Sequence, residues 1–542
     1  MYRSVEIALA LSGGGYRAAV YHIGVMSYLN KLQFGDSTTL LDYVNILTGV
    51  SGGALTALYY ACTELAAENR AHAFRELYSK IVTTNVGSIA SDRFSKEAVK
   101  GKDMIEILAN VYEETFLTGL KFGTILEGVQ NSHLHHVTVS ATDFSNGLPF
   151  RFQATKALND RNDDFSYGWI GNFDHRIDRE VASQLRLSDI LAASSCFPIA
   201  FEPIIYPKHF VLPTEFKREI EGQTFGMMDG GMIDNQGIDS VLKADEQMRK
   251  SGEQIDLVII SDVSSLKMDG YSPSKKPMPQ NSIWSRCKRF IGRSVNTVSN
   301  IQWTLKIIAC IFIILGFVSY HYNWNCWTFI VGFVFSSLIF LYLIDNFIEW
   351  VNGKISSQMN DFTQFNVHTE VVKKVKFGAI KRFFLNRVKS AYVMANGAMM
   401  GHIRRKNVSE MYEGAWKDRT ILNPLYCLED QGTWAKSMLK YQLPTGYKPS
   451  LAIIENSTLA NSMGTTLWFG KEHIANGMPE AILCSGQYTT CWNLMKYIEK
   501  TKDAQTEASR FLSVLEVQLK RDWVRFCENP KFLSNLVIMN NH

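Results

Sequence analysis

Ser51 stands in Gly49-Val50-Ser51-Gly52-Gly53, where an apolar run gives way to a helix-forming one. A serine on so tight a strand-to-helix turn exposes its hydroxyl above a helix N-terminus, the setting of a nucleophile in acyl transfer. The flanking glycines, Gly49 and Gly53 among them, remove Cβ atoms that would clash in the turn or block a carbonyl substrate. The same pattern also serves as an ordinary turn capped by its serine. Upstream, Ser12-Gly13-Gly14-Gly15-Tyr16-Arg17 follows another short apolar run. Successive glycines let backbone amides converge on an anion, whether a phosphate or the oxyanion of an acyl-transfer intermediate. A nucleotide loop fits less well, since GxGxxG fails at Ala18 and no lysine-threonine pair follows. Arg17 is open to three readings: a hold on a lipid phosphate, a support for the glycine loop, or a structural ion-pair partner.

Such a serine needs a base, and the common hydrolase order supplies an acid and then a histidine downstream. His133, His135 and His136 crowd an expected strand, and His321 lies in an apolar stretch, so these read as structural. Asp229 is the better candidate, in Met227-Met228-Asp229-Gly230-Gly231 at the end of an apolar strand. A carboxylate there can take the serine proton directly if burial raises its pKa. Asp-Gly-Gly is also a common β-turn.

The elements that must position these groups read as strand, glycine turn and helix, twice over, the grammar of a parallel α/β sheet. Strands are expected at 6–11, 43–48, 136–141, 224–228 and 256–261, with helices at 18–31 and 54–68 and a capped helix starting near Ser188. The 56 basic and 52 acidic side chains leave a net charge of +4, too dilute for a nucleic-acid binder, which needs a dense basic footprint. With 46% hydrophobic residues and 13 prolines the chain is globular rather than disordered. Nine cysteines without a CxxC pair point to reduced thiols in a cytosol-facing protein, and the N-terminal apolar run is too short for a signal peptide.

One stretch departs from that average. Residues 307–344 contain no Asp, Glu, Lys or Arg, and 275–306 carry seven basic residues and no acidic one. The apolar stretch divides at His321-Tyr322-Asn323-Trp324-Asn325. Residues 327–344 as a helix span roughly 27 Å, close to a hydrocarbon core of about 30 Å. A two-helix transmembrane hairpin at about 301–322 and 327–345 is therefore expected, with both ends and the remaining globular parts on the cytoplasmic side by the positive-inside rule. The expected organisation is a catalytic core at 1–274, an insertion at 275–370 and a C-terminal part at 371–542 that completes the core.

Taken together, Ser-Gly-Gly-Gly-Tyr-Arg, Gly-Val-Ser-Gly-Gly and the late Asp-Gly-Gly resemble the patatin-like phospholipase family, with a flavour of the related cytosolic phospholipase A catalytic domain. Ala193-Ser194-Ser195-Cys196-Phe197-Pro198, Phe201-Glu202-Pro203 and Asp234-Asn235 look like that family's accompanying segments. The resemblance covers about residues 5–265 directly. It implies a three-layer α/β fold with a mainly parallel central sheet flanked by helices. It also implies Ser51 as nucleophile, Asp229 as its base in a dyad without histidine, and Gly13, Gly14 and Gly15 as an oxyanion loop with Arg17 adjacent. Gly230 and Gly231 complete the aspartate motif. Ala18 stands where many members have glycine, and Gly52 where many have alanine.

The activity so implied is hydrolysis of fatty-acyl esters of membrane phospholipids through an acyl-enzyme, with no metal or cofactor. The partners are an acyl-ester lipid and the bilayer, not nucleic acid, and nothing in the sequence fixes an oligomeric state. A lysophospholipid or neutral-lipid esterase, a transacylase, and a catalytically silent lipid-binding scaffold are the alternatives.

Overall fold

The computed structural model describes residues 5–35, 38–65, 69–97, 101–156, 169–198, 200–219, 222–250, 252–263, 314, 321, 386–391, 393–429, 431–504 and 506–538. Ile7–Leu11 (β1) runs through the glycine loop into Gly15–Lys31 (α1), and Val44–Val50 (β2) runs through Ser51 into Gly52–Leu65 (α2). Met104–Thr115 (α3) precedes two antiparallel strands, His136–Asp143 (β3) and Pro149–Thr155 (β4). Leu187–Ser195 (α4), Ile204–Tyr206 (β5), Phe225–Asp229 (β6), Ile238–Arg249 (α5) and Leu257–Asp262 (β7) follow. Later come Met400–Met411 (α6), Thr420–Pro424 (β8), Leu451–Asn461 (α7), Met478–Lys500 (α8) and Glu516–Glu528 (α9).

Eight strands form one sheet in the order β8-β7-β1-β2-β3-β6-β5, with β4 also paired to β3. The β8–β7, β7–β1, β1–β2 and β2–β3 pairings are parallel. Both faces of this region are covered, which is why β1 and β2 are apolar almost without alternation and fully buried. Ile7, Leu9 and Leu11 face the large core with α1 and α8, while Ala8 and Ala10 face a second cluster built on α5 through Ile238 and Val241. A sheet with helices on both sides is the expected three-layer arrangement.

Register brings the two candidate reactive groups together. Along β3, Ser140 pairs with Val50 and the next residue, Ala141, pairs with Asp229. Because β4 occupies the other edge of β3 through Thr142, β6 takes the edge that β2 vacates as the chain turns at Ser51.

The chain divides into two compact units, 1–269 with 394–542, and 270–393. The cuts expected from the sequence, 274/275 and 370/371, lie outside the described residues, and the first unit is described again from 394. Its returning segment supplies the edge strand β8 and the buried helix α8. There Gly486 lies against α1 with the backbones in contact: a Cβ at Gly486 would sit 2.3 Å from the Tyr21 carbonyl oxygen, and one at Gly24 2.1 Å from that of Leu483.

Two helices start earlier than the sequence suggested. α1 begins at Gly15 rather than 18 and α2 at Gly52 rather than 54, because the glycines read as turn residues already take helical positions. Ser188 is not the cap of α4, which begins at Leu187; its hydroxyl donates instead to Glu113. The expected hairpin at 301–322 and 327–345 lies outside the described residues, apart from the isolated residues 314 and 321. Among the described residues no helix is long and apolar enough to cross a membrane.

A Cβ cannot enter the α1–α8 contact without separating two main chains, so Gly486→Ala should lower stability by about 2 kcal/mol or more. Thermal or denaturant unfolding of the full chain measures it, and an unchanged midpoint would contradict the backbone contact.

Candidate active site

Ser51 has φ 52°, the one described residue besides Gln442 that is not glycine and lies at positive φ. This left-handed geometry is uncommon outside glycine and costs roughly 1–2 kcal/mol, so the surroundings must hold it. They do so by close packing. The Ser51 amide donates to Ser194 Oγ at 2.9 Å, and Ser194 Oγ donates to the Ser140 carbonyl at 2.7 Å. Behind the turn, a Cβ at Gly53 would meet the Leu11 carbonyl oxygen at 2.3 Å and one at Gly49 would meet Ala57 Cβ and the Gly53 carbonyl oxygen at 2.8 Å. Gly52 abuts the glycine loop, where a Cβ would lie 2.1 Å from the Gly15 carbonyl oxygen. That contact gives the reason for glycine at 52 in place of alanine.

Asp229 closes β6 and is 5% exposed. Burial pushes its carboxyl up to about 7, against hydrogen bonds from the Gly231 amide and the Ser51 side chain that stabilise the charged form. The Gly231 amide reaches Asp229 Oδ1 at 2.7 Å, and the Asp229 and Gly230 amides are held by the carbonyls of Cys196 and Ser194. A Cβ at Gly230 would collide with the Ser140 carbonyl oxygen at 2.2 Å, and one at Gly231 would crowd Asp229 Oδ1 at 2.9 Å. Ser51 and Asp229 thus both lie almost closed to water, with Val50 and Asp229 paired to successive residues of β3.

The glycine loop divides by function. Gly13 donates its amide to the Asn235 carbonyl at 2.9 Å, and Tyr16 donates its amide to the Thr466 carbonyl at 2.8 Å. Gly14 and Gly15, at φ 146° and 61°, sit between them, and among the described residues their amides donate to no protein acceptor. Of the three glycines expected to bind an oxyanion, Gly13 is thus engaged in holding the loop. Arg17 is 7% exposed and donates to the Met463 carbonyl. Burial lowers its pKa to about 10, offset by the nearby Asp262 carboxylate. Its guanidinium is buried against the Met463 carbonyl rather than turned to solvent.

Ser51 faces a small cavity of ≈ 10 Å³ bordered by Leu55, Tyr112, Leu191 and Leu467, with no histidine in its lining. His136 is buried against Thr155, and His133 and His135 lie beside Glu64 and Glu6. A histidine that sequence reasoning passed over, His22, bridges Ser261 Oγ and the Ser12 carbonyl beneath the glycine loop; burial lowers its pKa to about 4. Ser194, Asn235, Met463 and Thr466 were likewise not assigned roles. Ser194 and Asn235 stood in motifs, but no local pattern announces a carbonyl more than 400 positions from the loop it holds. Among the described residues no cluster suited to a metal ion occurs.

No curated protein matches the sequence. Among solved structures, human GIVD cytosolic phospholipase A2 is similar at 14% identity, with 48% of this chain and 43% of that chain covered and a TM-score of 0.31. The same protein in complex with methyl gamma-linolenyl fluorophosphonate gives 16% identity, 35% and 29% coverage and a TM-score of 0.26. With that inhibitor and terbium chloride the values are 20%, 28% and 23%, and 0.22. The chain thus spans less than half the length of these structures. Residues 9–242, less than half of the chain, match the family model described as patatin-like phospholipase.

Proposed function

We propose that the protein is a serine lipid acyl hydrolase that cleaves fatty-acyl esters of membrane phospholipids with Ser51 as nucleophile and Asp229 as its base. The observation that carries this reading is the burial of Asp229 beside the Ser51 turn, Val50 and Asp229 pairing with successive residues of β3, with the carboxyl raised to about 7. A base poised near the working pH combines a useful ionised fraction with enough basicity to take a serine proton. The family match supports acyl-ester hydrolysis in general.

Ser51 Oγ attacks the ester carbonyl while its proton passes to Asp229, and the oxyanion of the tetrahedral intermediate is met by the Gly14 and Gly15 amides. Collapse breaks the carbonyl–alkoxy bond, and Asp229 returns the proton to the departing lysolipid oxygen. Water then repeats the sequence on the acyl-enzyme, with Asp229 taking its proton and returning it to Ser51 as the fatty acid leaves. The cavity is far smaller than an acyl chain, so substrate entry requires its lining to open. The same reading places the enzyme at a bilayer through a hairpin over 301–345, supported by the charge-free run 307–344 and the seven basic residues before it.

Three outcomes test this function. Ser51→Ala and Asp229→Asn should each remove nearly all release of fatty acid from phospholipid vesicles, and the double variant should be scarcely worse than either, because the pair transfers one proton. Asp229→Asn within a few-fold of wild type would remove Asp229 as the base. The working base is the carboxylate, so kcat/KM should fall as pH drops through about 7, roughly tenfold per unit below it. A profile flat from pH 5 to 8 would show that this group does not accept the proton. Finally, the full chain should sediment with membranes and resist salt extraction, whereas recovery in a high-speed supernatant without detergent would overturn the hairpin.

A further inference from the structure

Nucleophile and base come from different strands, so something must fix their separation. Ser194, the penultimate residue of α4, touches both. Its hydroxyl accepts the Ser51 amide at 2.9 Å and donates to the Ser140 carbonyl at 2.7 Å. Its own carbonyl accepts the Gly230 amide at 3.3 Å, and the Cys196 carbonyl accepts the Asp229 amide at 3.2 Å. Ser194 is fully buried, so no water can replace these bonds.

We propose that Ser194 is a positioning residue for the reaction: its hydroxyl holds Ser51 in the left-handed turn while its carbonyl holds the aspartate motif, so that one residue sets the distance from the nucleophile to its base. This rests on the reading of Ser51 and Asp229 given above. Without the hydroxyl, the Ser51 amide is buried with no acceptor, and the strained turn loses the bond that opposes its relaxation. Ser51 Oγ then drifts from Asp229, and the charged carboxylate loses the support of that polar side chain. The kinetic pKa on the acid side must therefore rise. Among the described residues, the other titratable groups that interact with Asp229 are the Tyr112 phenol on α3 and the Cys196 thiol after α4, both driven upward by burial and so neutral across the tested range.

The test compares wild type, Ser194→Ala and Ser240→Ala as full chains in detergent–phospholipid micelles. Active sites are counted by fluorophosphonate labelling, and kcat and KM are recorded from pH 5 to 9. Ser240 shares a buried hydroxyl bond with Ser140 but makes none with Ser51 or Asp229, so it controls for the loss of a buried serine hydroxyl beneath the site. Ser194→Ala is expected to lower kcat per labelled site roughly 10–100-fold, with KM within about threefold, and to move the acid limb to higher pH. Ser240→Ala is expected to leave the limb in place. A limb that does not move in Ser194→Ala, with kcat per site within about threefold of wild type, overturns the proposal. If Ser194→Ala does not accumulate as folded protein, Ser194→Cys carries the same test. It keeps a weak sulfur acceptor, so the limb shifts in the same direction by less, and an unmoved limb again overturns the proposal. Absence of labelling in wild type, or labelling that survives Ser51→Ala, would instead refute the nucleophile assignment itself.

Discussion

Water is kept from both Ser51 and Asp229, and much of the architecture serves that exclusion. A carboxylate open to solvent is too weak a base to take a serine proton, and burial corrects this by disfavouring its charge. Raising the carboxyl from 3.8 to about 7 corresponds to roughly 4 kcal/mol of lost stability for the ionised folded state. The sign is fixed because the folded pKa exceeds the unfolded one. The cost is absent below pH 4, grows through the interval and is fully present above 7. The fold offsets it by delivering Asp229 on a short strand whose register on β3 falls one residue beyond that of β2.

How much of this was legible in the sequence differs from residue to residue. The tight turn at Ser51 and the strand end at Asp229 were visible through their neighbours: glycines where a turn is tight, an apolar strand before it, a helix after it. Strands β1 and β2 were visible for the same reason, since a strand buried on both faces has little choice but Ile, Leu, Val and Ala. The first turns of α1 and α2 were not visible, because Gly15 and Gly52 have low intrinsic helix preference and enter the helices through tertiary contact. Nor could the split of the glycine loop be read, since three identical residues take different roles according to which carbonyls face them. Arg17 was ambiguous for a related reason: its type suits phosphate, and only its position against Met463 and Asp262 identifies a brace.

The site and the core share one structural device, the direct contact of main chain with main chain. Gly52 against the Gly15 carbonyl, Gly53 against the Leu11 carbonyl and Gly486 against the Tyr21 carbonyl leave no room for a methyl group. Side-chain packing tolerates compensating changes in neighbours, whereas backbone contacts do not. The turn at Ser51 is held the same way on its other side by Ser194, which answers main-chain groups on both strands.

The glycine loop is synthesised well before its outer supports, which follow hundreds of positions later. The Arg17 guanidinium waits for a carbonyl 446 positions later, and the Tyr16 amide waits for Thr466. At translation rates of about 5–20 residues per second, that interval is roughly 20–90 s. Through it the nascent chain holds Ser51 and Asp229 but lacks the braces of the loop between them and the buried helix α8. Synthesis order thus acts as a timer: the segment at 270–393 is made while these contacts are still missing, and the surroundings of the glycine loop are completed only after it.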